Sequence, residues 1–236
     1  MTSLVITDLV VNRAGLPIVR GVNLEAKSGE ISVLLGANGA GKTTLLESIS
    51  GIIPTAGGQI ALHGNAMNML RPGMRARAGL SHVEQGRTIF PEMTTEENLK
   101  VALHRDATLD EAYGLFPELL QRRDIRCGML SGGEQQMVVI ARSLLTRPKV
   151  IMIDEMSSGL APVIVSRLMT AVRKLADAGM AVLLVEQFAT LALAIGDRAY
   201  VLRRGRMVYD GPCDALARDP AHLHRLYLGE AEIAAV

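Results

Sequence analysis

This sequence of 236 residues has few cysteines, no large excess of basic or acidic residues and no long apolar run. Its 2 cysteines, Cys127 and Cys213, form no CxxC pair and no metal-ligand spacing, so we predict two reduced thiols. The 25 basic and 24 acidic residues leave a net charge of +1, which gives no basic surface for nucleic acid. No stretch reaches the roughly 18 apolar residues of a membrane span, and no signal peptide follows Met1. We expect a cytoplasmic protein without a nucleic-acid partner.

The apolar fraction, by contrast, is large at 49%, which suffices for a substantial core. Short apolar runs alternate with helical patterns, and this order predicts an α/β fold with a mostly parallel sheet covered on both faces. The earliest strand patterns indicate a small antiparallel sheet beside the main one. Capping residues and apolar periodicity predict a helical subdomain at about 88–145, inserted into a single domain that spans 1–236. Residues 230–236 are interpreted as a tail.

A glycine-rich turn joins an apolar strand pattern to an apolar-periodic helix pattern near residue 40. It matches Gly-x-x-x-x-Gly-Lys-Thr, in which backbone N–H groups point inward and cradle phosphates beside a helix N-terminus. Lys42 can reach the β- and γ-phosphates, and the Thr43 hydroxyl can ligate Mg²⁺. The turn therefore predicts a site for a nucleoside triphosphate. Its residues are Gly36, Ala37, Asn38, Gly39, Ala40, Gly41, Lys42, Thr43 and Thr44.

Two adjacent carboxylates follow a buried strand pattern at 150–153. Ligands of doubly wound folds bind at the carboxyl edge of the sheet, so Asp154 and Glu155 are candidates for the same site. Asp154 is suited to hold Mg²⁺, and Glu155 is suited to polarise the attacking water in phosphoryl transfer. The alternative is a solvated acidic pair at a strand end, which the accompanying phosphate loop disfavours.

A serine and two glycines open a strong helix pattern that runs to Leu145. Ser131 at the N-cap and Glu134 three residues later form a capping box, which is a sufficient structural explanation. A hydroxyl, close backbone approach and the positive end of a helix dipole also suit a second anion site. Both interpretations can hold together. The motif comprises Ser131, Gly132, Gly133, Glu134 and Gln135.

The ordered set of phosphate loop, glutamine loop at Gln85, helix-opening motif and strand ending in Asp154 and Glu155 resembles the ATP-binding cassette (ABC) ATPases over nearly the whole chain. Further stretches resemble the smaller ATP-binding subunit of branched-chain amino acid importers, the LivF type. The resemblance implies an ATPase whose cassettes pair head to tail, with ATP between the phosphate loop of one and the helix-opening motif of the other. These stretches are GRTIF at 86–90, MTTEENL at 93–99, LFP at 115–117, GLAP at 159–162, LVEQ at 184–187 and YLG at 227–229.

The resemblance also implies further site residues and partners. Gln85 would sense the γ-phosphate and Mg²⁺, and Gln187 would contact the γ-phosphate where most ABC proteins have a histidine. Because glutamine cannot become cationic, we expect weaker charge stabilisation in the transition state. ATP and Mg²⁺ are the expected cofactors. Membrane permease subunits, a second cassette subunit and, indirectly, a periplasmic substrate-binding protein are the expected partners, which places the chain on the inner face of the cell membrane.

The sequence departs from this family pattern at two places. Most cassettes carry an aromatic residue before the second strand that stacks on adenine, but none occurs at 11–15. Arg13 could stack its planar guanidinium there or be a solvated loop residue, the interpretation that we favour. We therefore predict weaker or less base-selective nucleotide binding. Met156 stands where a proline usually follows the catalytic glutamate, so we expect a less rigid turn after Glu155.

Three alternative functions stay open at this point. The same kind of transporter could carry urea, short amides or another amino acid, because the cargo never contacts this subunit. A stand-alone phosphate-loop kinase or GTPase is disfavoured, since no Asn-Lys-x-Asp motif occurs and the Ser-Gly-Gly helix would be unexplained. A non-transport ABC protein acting on nucleic acid or ribosomes usually carries two cassettes, long inserts or basic surfaces, none of which is seen.

Overall fold

The computed structural model describes residues 2–229, so the tail predicted at 230–236 lies outside the described residues. The strands are β1 (Thr2–Arg13), β2 (Leu16–Lys27), β3 (Ile31–Leu35), β4 (Gly57–Leu62), β5 (Asn65–Ala66), β6 (Leu80–Val83), β7 (Val150–Asp154), β8 (Ala181–Glu186), β9 (Arg198–Arg203) and β10 (Arg206–Pro212). The helices are α1 (Lys42–Ser50), α2 (Pro72–Arg77), α3 (Thr95–Lys100), α4 (Leu109–Leu115), α5 (Pro117–Gln121), α6 (Gly132–Leu145), α7 (Pro162–Asp177), α8 (Ala189–Ile195), α9 (Cys213–Arg218) and α10 (Pro220–Leu228).

The central sheet has the strand order β10-β9-β3-β8-β7-β6. Its neighbouring strands are parallel except for the hairpin of β9 and β10. β3, β7 and β8 are buried along their whole length, as parallel strands are when both faces of the sheet are covered. The predicted mostly parallel α/β sheet is confirmed. The carboxyl ends of these three strands meet at one edge, which is where the site lies.

A smaller antiparallel sheet covers one face, with the strand order β2-β1-β4-β5. β2 alternates between buried and exposed residues, so that Val22, Leu24 and Ala26 point inward. They share a buried apolar cluster with Leu34 of β3 and Leu45 of α1. The antiparallel sheet predicted beside the main sheet is therefore confirmed.

Helices cover the other face of the central sheet. Val33 of β3 points to that side and shares an apolar cluster with Val139 of α6 and Leu168 of α7. Cys127 and Cys213 are both buried and free, as predicted. Among residues 2–229, none of the helices is both long enough and apolar enough to cross a bilayer.

Helices α3, α4, α5 and α6 lie in the chain between β6 and β7. α3 begins at a capping box, in which the Thr94 hydroxyl accepts from the Glu97 N–H and the Glu97 carboxylate accepts from the Thr94 N–H. From Leu109 onward the chain forms two short helices, α4 and α5, because Pro117 starts a new helix after the buried Phe116. The subdomain boundaries at 88–145 and the single domain at 1–236 stay predictions.

A buried arginine holds the C-terminal end of α1, the helix that follows the phosphate loop. Arg75 of α2 is 3% exposed, and its guanidinium donates to the carbonyl oxygens of Ser48 at 2.8 Å and Ile49 at 2.7 Å. It also donates to the carbonyls of Asn68 and Leu70, at 3.1 and 3.0 Å. The last carbonyls of a helix have no full set of partners within it. The Ser48 carbonyl also accepts from the Gly51 N–H, whereas Arg75 is the donor that the structure gives the Ile49 carbonyl.

We expect Arg75→Met to lower the free energy of unfolding by about 2–4 kcal/mol, since several buried carbonyls would each lose a hydrogen bond. Urea unfolding followed by circular dichroism measures this loss. Arg77→Met is the matched control, because Arg77 lies on the same helix with an exposed side chain. Equal stabilities of the two variants would contradict the structural role given to Arg75.

Candidate phosphate-binding site

The phosphate loop lies between the end of β3 and the start of α1. Gly36 is buried, and a Cβ atom there would lie 2.4 Å from the carbonyl oxygen of Leu202, so a larger residue would displace β9. Gly41 has a φ of 108°, a conformation that residues other than glycine rarely adopt, and it directly precedes α1. The chain therefore turns into α1 with the N-terminus of the helix at the loop, which is the geometry of a phosphate site.

Lys42 is buried inside this loop. Its side chain is 5% exposed, and Nζ donates to the carbonyl oxygen of Gly36 at 2.8 Å and of Ala37 at 3.4 Å. Its anionic partner is Glu155, with Nζ 3.6 Å from Oε1. A buried cation needs such partners, and phosphate oxygens would be stronger ones.

A carboxylate at the end of β7 reaches the first turn of α1. The Thr43 hydroxyl donates to Oδ2 of Asp154 at 3.0 Å. The other oxygen of Asp154, Oδ1, is buried and has no hydrogen-bond partner within the described chain. Burial raises the pKa of Asp154, although the Thr43 hydroxyl and the Lys42 ammonium oppose the rise. An oxygen left without a partner beside a hydroxyl is suited to a hard cation such as Mg²⁺, so these residues fit the predicted metal site.

Glu155 is held in a left-handed backbone conformation, with a φ of 44°. Its N–H donates to the carbonyl oxygen of Val185 at 2.9 Å, which fixes the turn after β7. Oε2 accepts from Nε2 of Gln85 at 2.8 Å, while Oε1 faces Lys42. The structure thus brings Gln85, Glu155 and the phosphate loop together, as the sequence predicts. An uncommon backbone conformation at this position is the kind of strain that functional sites retain.

The loop after Glu155 is fixed by contacts that the sequence analysis missed. Met156 is 2% exposed and belongs to the main apolar cluster. Ser157 donates to the carboxylate of Glu186 through its N–H at 3.2 Å and its hydroxyl at 2.6 Å. Burial raises the pKa of Glu186, and the bonds from Ser157 oppose that rise. The turn therefore has restraints in place of the missing proline. The only sequence signal for them was an acidic residue at the end of a buried strand.

The loop, Gln85 and Glu155 surround a cavity of about 520 Å³, a size typical of small-ligand sites. Arg13 lies at its wall as the last residue of β1, not in a loop, and its side chain is 47% exposed and forms an ion pair with Glu47 of α1. Stacking of Arg13 on a base stays a prediction. The lining residues are Arg13, Ile18, Asn38, Gly39, Gly41, Lys42, Thr43, Thr44, Gln85 and Glu155.

Gln187 does not line this cavity. It follows the last residue of β8, and its side chain is exposed. The structure therefore brings Gln187 to the correct edge of the sheet but not into contact with the phosphate loop. Its assignment to the γ-phosphate stays a prediction.

The Ser-Gly-Gly helix start is a capping box, as the simpler interpretation predicts. The Ser131 hydroxyl accepts from the Glu134 N–H, and the Glu134 carboxylate accepts from the Ser131 N–H at 2.9 Å. Arg122 forms an ion pair with Glu134 at 2.9 Å. Gln135 donates to the carbonyl oxygen of Leu130 at 3.2 Å, which fixes the turn before the helix. The second anion site stays a prediction.

Both glycines of the motif allow close contacts. A Cβ atom on Gly132 would lie 2.7 Å from Nη1 of Arg87, and one on Gly133 would lie 2.6 Å from Cγ2 of Ile164. Arg87 also donates to the carbonyl oxygen of Ser158 at 3.4 Å. This arginine therefore links three segments: the loop after Gln85, the start of α6 and the loop after Glu155.

The profile of the ABC transporter family matches residues 19–158 of this chain. The chain belongs to that family. It is the ATP-binding type of subunit, which couples ATP hydrolysis to transport, so a stand-alone kinase or GTPase is excluded.

This ABC subunit is also similar to individual proteins of known name. It is 41% identical to the high-affinity branched-chain amino acid transport ATP-binding protein BraG of Pseudomonas aeruginosa, over 88% of this chain and 91% of the relative. It is 33% identical to the lipopolysaccharide export system ATP-binding protein LptB of Escherichia coli K12, over 98% of both chains. A cassette of an ABC transporter solved in its ADP conformation has the same fold, with a TM-score of 0.86 at 24% identity over 98% of this chain and 100% of the other.

The buried carboxyl of Glu186 predicts a pH-dependent stability difference. Because its pKa is raised, the folded chain binds this proton more tightly than the unfolded chain. The free energy of unfolding therefore falls as pH rises from the ordinary glutamate range through the raised pKa. In Glu186→Gln this contribution is absent, so the stability of the variant relative to the wild type should increase with pH over that window.

Urea unfolding between pH 4 and 8 measures the relative stability. Asp154 also has a raised pKa, but it is present in both proteins and cancels in the difference. The control is Glu92→Gln, at a glutamate whose side chain is 85% exposed. A pH-independent difference for Glu186→Gln would refute the burial argument.

Proposed function

We propose that this chain is the ATP-hydrolysing subunit of an importer for branched-chain amino acids. The observation that carries the hydrolytic part is the convergence of Lys42, Thr43, Gln85, Asp154 and Glu155 at one edge of the sheet. The cargo rests on the 41% identity to BraG. The export protein LptB shows that a similar cassette also works on another cargo, so the cargo needs a direct test.

ATP is proposed to bind with its phosphates on the loop at 36–44. The backbone N–H groups of the loop and the N-terminus of α1 supply partial positive charge, and Lys42 supplies a full charge. Its ammonium donates to loop carbonyls in the structure, and in the proposed complex it would donate to the β- and γ-phosphates. Thr43, Gln85 and Asp154 would hold Mg²⁺, which neutralises phosphate charge when bound.

Glu155 is proposed to orient and polarise the water that attacks the γ-phosphate. It lies between Lys42 and Gln85, so its two oxygens point into the same cavity as the phosphate loop. The left-handed turn and the buried Met156 and Ser157 restrict its movement. Restricting a catalytic carboxylate in this way supplies the orientation that phosphoryl transfer chiefly needs.

Two copies of this fold, or this chain and a different cassette, are proposed to close on each ATP. The motif at 131–135 of one would then meet the phosphates bound by the other, and Gln187 would contact the γ-phosphate. Arg87 supports a coupling role for the loop after Gln85, because it contacts both the motif helix and the loop after Glu155. The exposed part of that loop is the proposed contact with the permease subunits, on the cytoplasmic side of the membrane.

The test is radiolabelled leucine, isoleucine and valine uptake in cells that lack this gene and carry a rescue copy. We expect the wild type and the surface control Glu92→Gln to restore uptake. Glu155→Gln should leave uptake at the level of the deletion strain, since loss of a general base costs about 10²–10⁴ in rate. ATPase assays of the purified variants give the hydrolysis step separately.

The outcomes separate the two parts of the proposal. Normal ATP hydrolysis by Glu155→Gln would contradict its assigned role. If deletion of the gene leaves uptake of all three amino acids unchanged, the cargo is wrong and the ATPase assignment stands. Uptake of urea, short amides and other amino acids would then be measured in the same strains.

A further inference from the structure

A second cavity lies at the opposite edge of the central sheet from the phosphate loop. Its walls include Lys149, which directly precedes β7, and Met180, which directly precedes β8. The site residues Asp154 and Glu155 lie at the other end of β7, a strand of 5 residues. Such a strand is about 16 Å long, so the two cavities are separate. The volume of the second cavity is about 610 Å³, which is the size of a small-molecule site.

The walls of this cavity come from three parts of the fold. α4 and the end of α6 supply the first, and the end of α7 with the turns before β7 and β8 supplies the second. Ser28 and His63, in the turns after β2 and β4, supply the third. Most of the wall area is apolar, and among the described lining residues the imidazole of His63 is the single aromatic ring, with no Phe, Tyr or Trp. A nucleobase would therefore have no large aromatic side chain to stack on. The apolar lining residues are Leu115, Leu144, Pro148, Leu175, Ala178 and Met180.

Two lysines give the cavity an uncompensated positive charge. The chain has ammonium side chains at few positions, and Lys149 and Lys174 both line this one cavity. Neither has an ion-pair partner among residues 2–229. The nearby Arg147 differs, because its guanidinium is neutralised by the Glu111 carboxylate at 2.6 Å.

His63 also lines the cavity, and the pKa of its imidazole responds to the charge there. Burial lowers the pKa of His63, and the Lys149 ammonium lowers it further. His63 is therefore neutral at pH 7, and the net charge of the cavity comes from the two lysines. A bound anion would cancel the field of Lys149 at the imidazole, which gives a spectroscopic signal.

We propose that this cavity binds a small aliphatic carboxylate, with its carboxylate between Lys149 and Lys174 and its chain against Leu115, Leu144 and Leu175. The two ammonium groups supply the charge that a carboxylate needs. A zwitterion is disfavoured, because the carboxylate of Glu111 is already paired with Arg147 and no other acidic side chain lines the described walls. A compact phosphate would leave the aliphatic walls unused.

Titration calorimetry of the full chain with four probes tests whether binding needs both the carboxylate charge and the aliphatic chain. Octanoate has the charge and the chain, acetate has the charge alone, octylammonium has the chain with the opposite charge, and inorganic phosphate is the compact anion. We expect octanoate to bind with a dissociation constant at least tenfold below those of the other three. The His63 imidazole resonance should shift on saturation with octanoate, while those of His222 and His224 stay unchanged.

The double variant Lys149→Gln/Lys174→Gln should weaken octanoate binding at least tenfold. Lys100→Gln is the matched control, since Lys100 is an exposed lysine on α3 outside this cavity. Equal affinity for octanoate and octylammonium would overturn the role of the lysines, and equal affinity for octanoate and acetate or phosphate would overturn that of the apolar walls. These arms use the wild-type protein and do not depend on the folding of a variant or on the transported cargo.

Discussion

The hydrogen bond from Thr43 to Asp154 is the interaction on which the site depends. It joins the first turn of α1 to the end of β7, two elements that are far apart in the sequence. Asp154 is 1% exposed, and a buried carboxylate is costly unless its oxygens have partners. The Thr43 hydroxyl satisfies Oδ2, which leaves Oδ1 as a buried acceptor beside the phosphate loop. Lys42 and Glu155 are the chain neighbours of the two bonded residues, and Glu155 in turn accepts a hydrogen bond from Gln85.

Contacts around the site restrain the loop after Glu155, where the sequence lacks a proline. A proline after Glu155 would have stiffened the turn through its fixed φ, but Met156 stands there. The structure stiffens the same turn through the burial of Met156 and through the bonds from Ser157 to Glu186. Arg75 plays a similar part at the far end of α1, where it bonds the last carbonyls of the helix. Preorganisation therefore rests on contacts distributed around the loop.

Local sequence patterns predict the helices and strands, but they do not predict contacts between residues far apart in the chain. The sequence predicts α1, the capping box at Ser131 and the buried run of β7, because glycines, caps and apolar runs act within a few residues. The ion pair of Arg13 with Glu47 was missed, since one sequence does not show which distant residues meet. The pair of Ser157 and Glu186 was missed for the same reason. The phosphate loop was predictable because its function depends on the backbone of one continuous segment.

Mg²⁺-dependent ATP binding tests most directly whether the loop and the β7 carboxylate form one site. The dissociation constant of ATP would be measured with Mg²⁺ and with a chelator, for the wild type, Asp154→Asn and the exposed control Asp110→Asn. In the wild type and the control, Mg²⁺ should tighten binding. Asp154→Asn should keep the metal-free affinity, which the loop supplies, and lose most of the increase with Mg²⁺. A full Mg²⁺-dependent increase in Asp154→Asn would contradict the assignment of Asp154 to the metal and the joint site built on it.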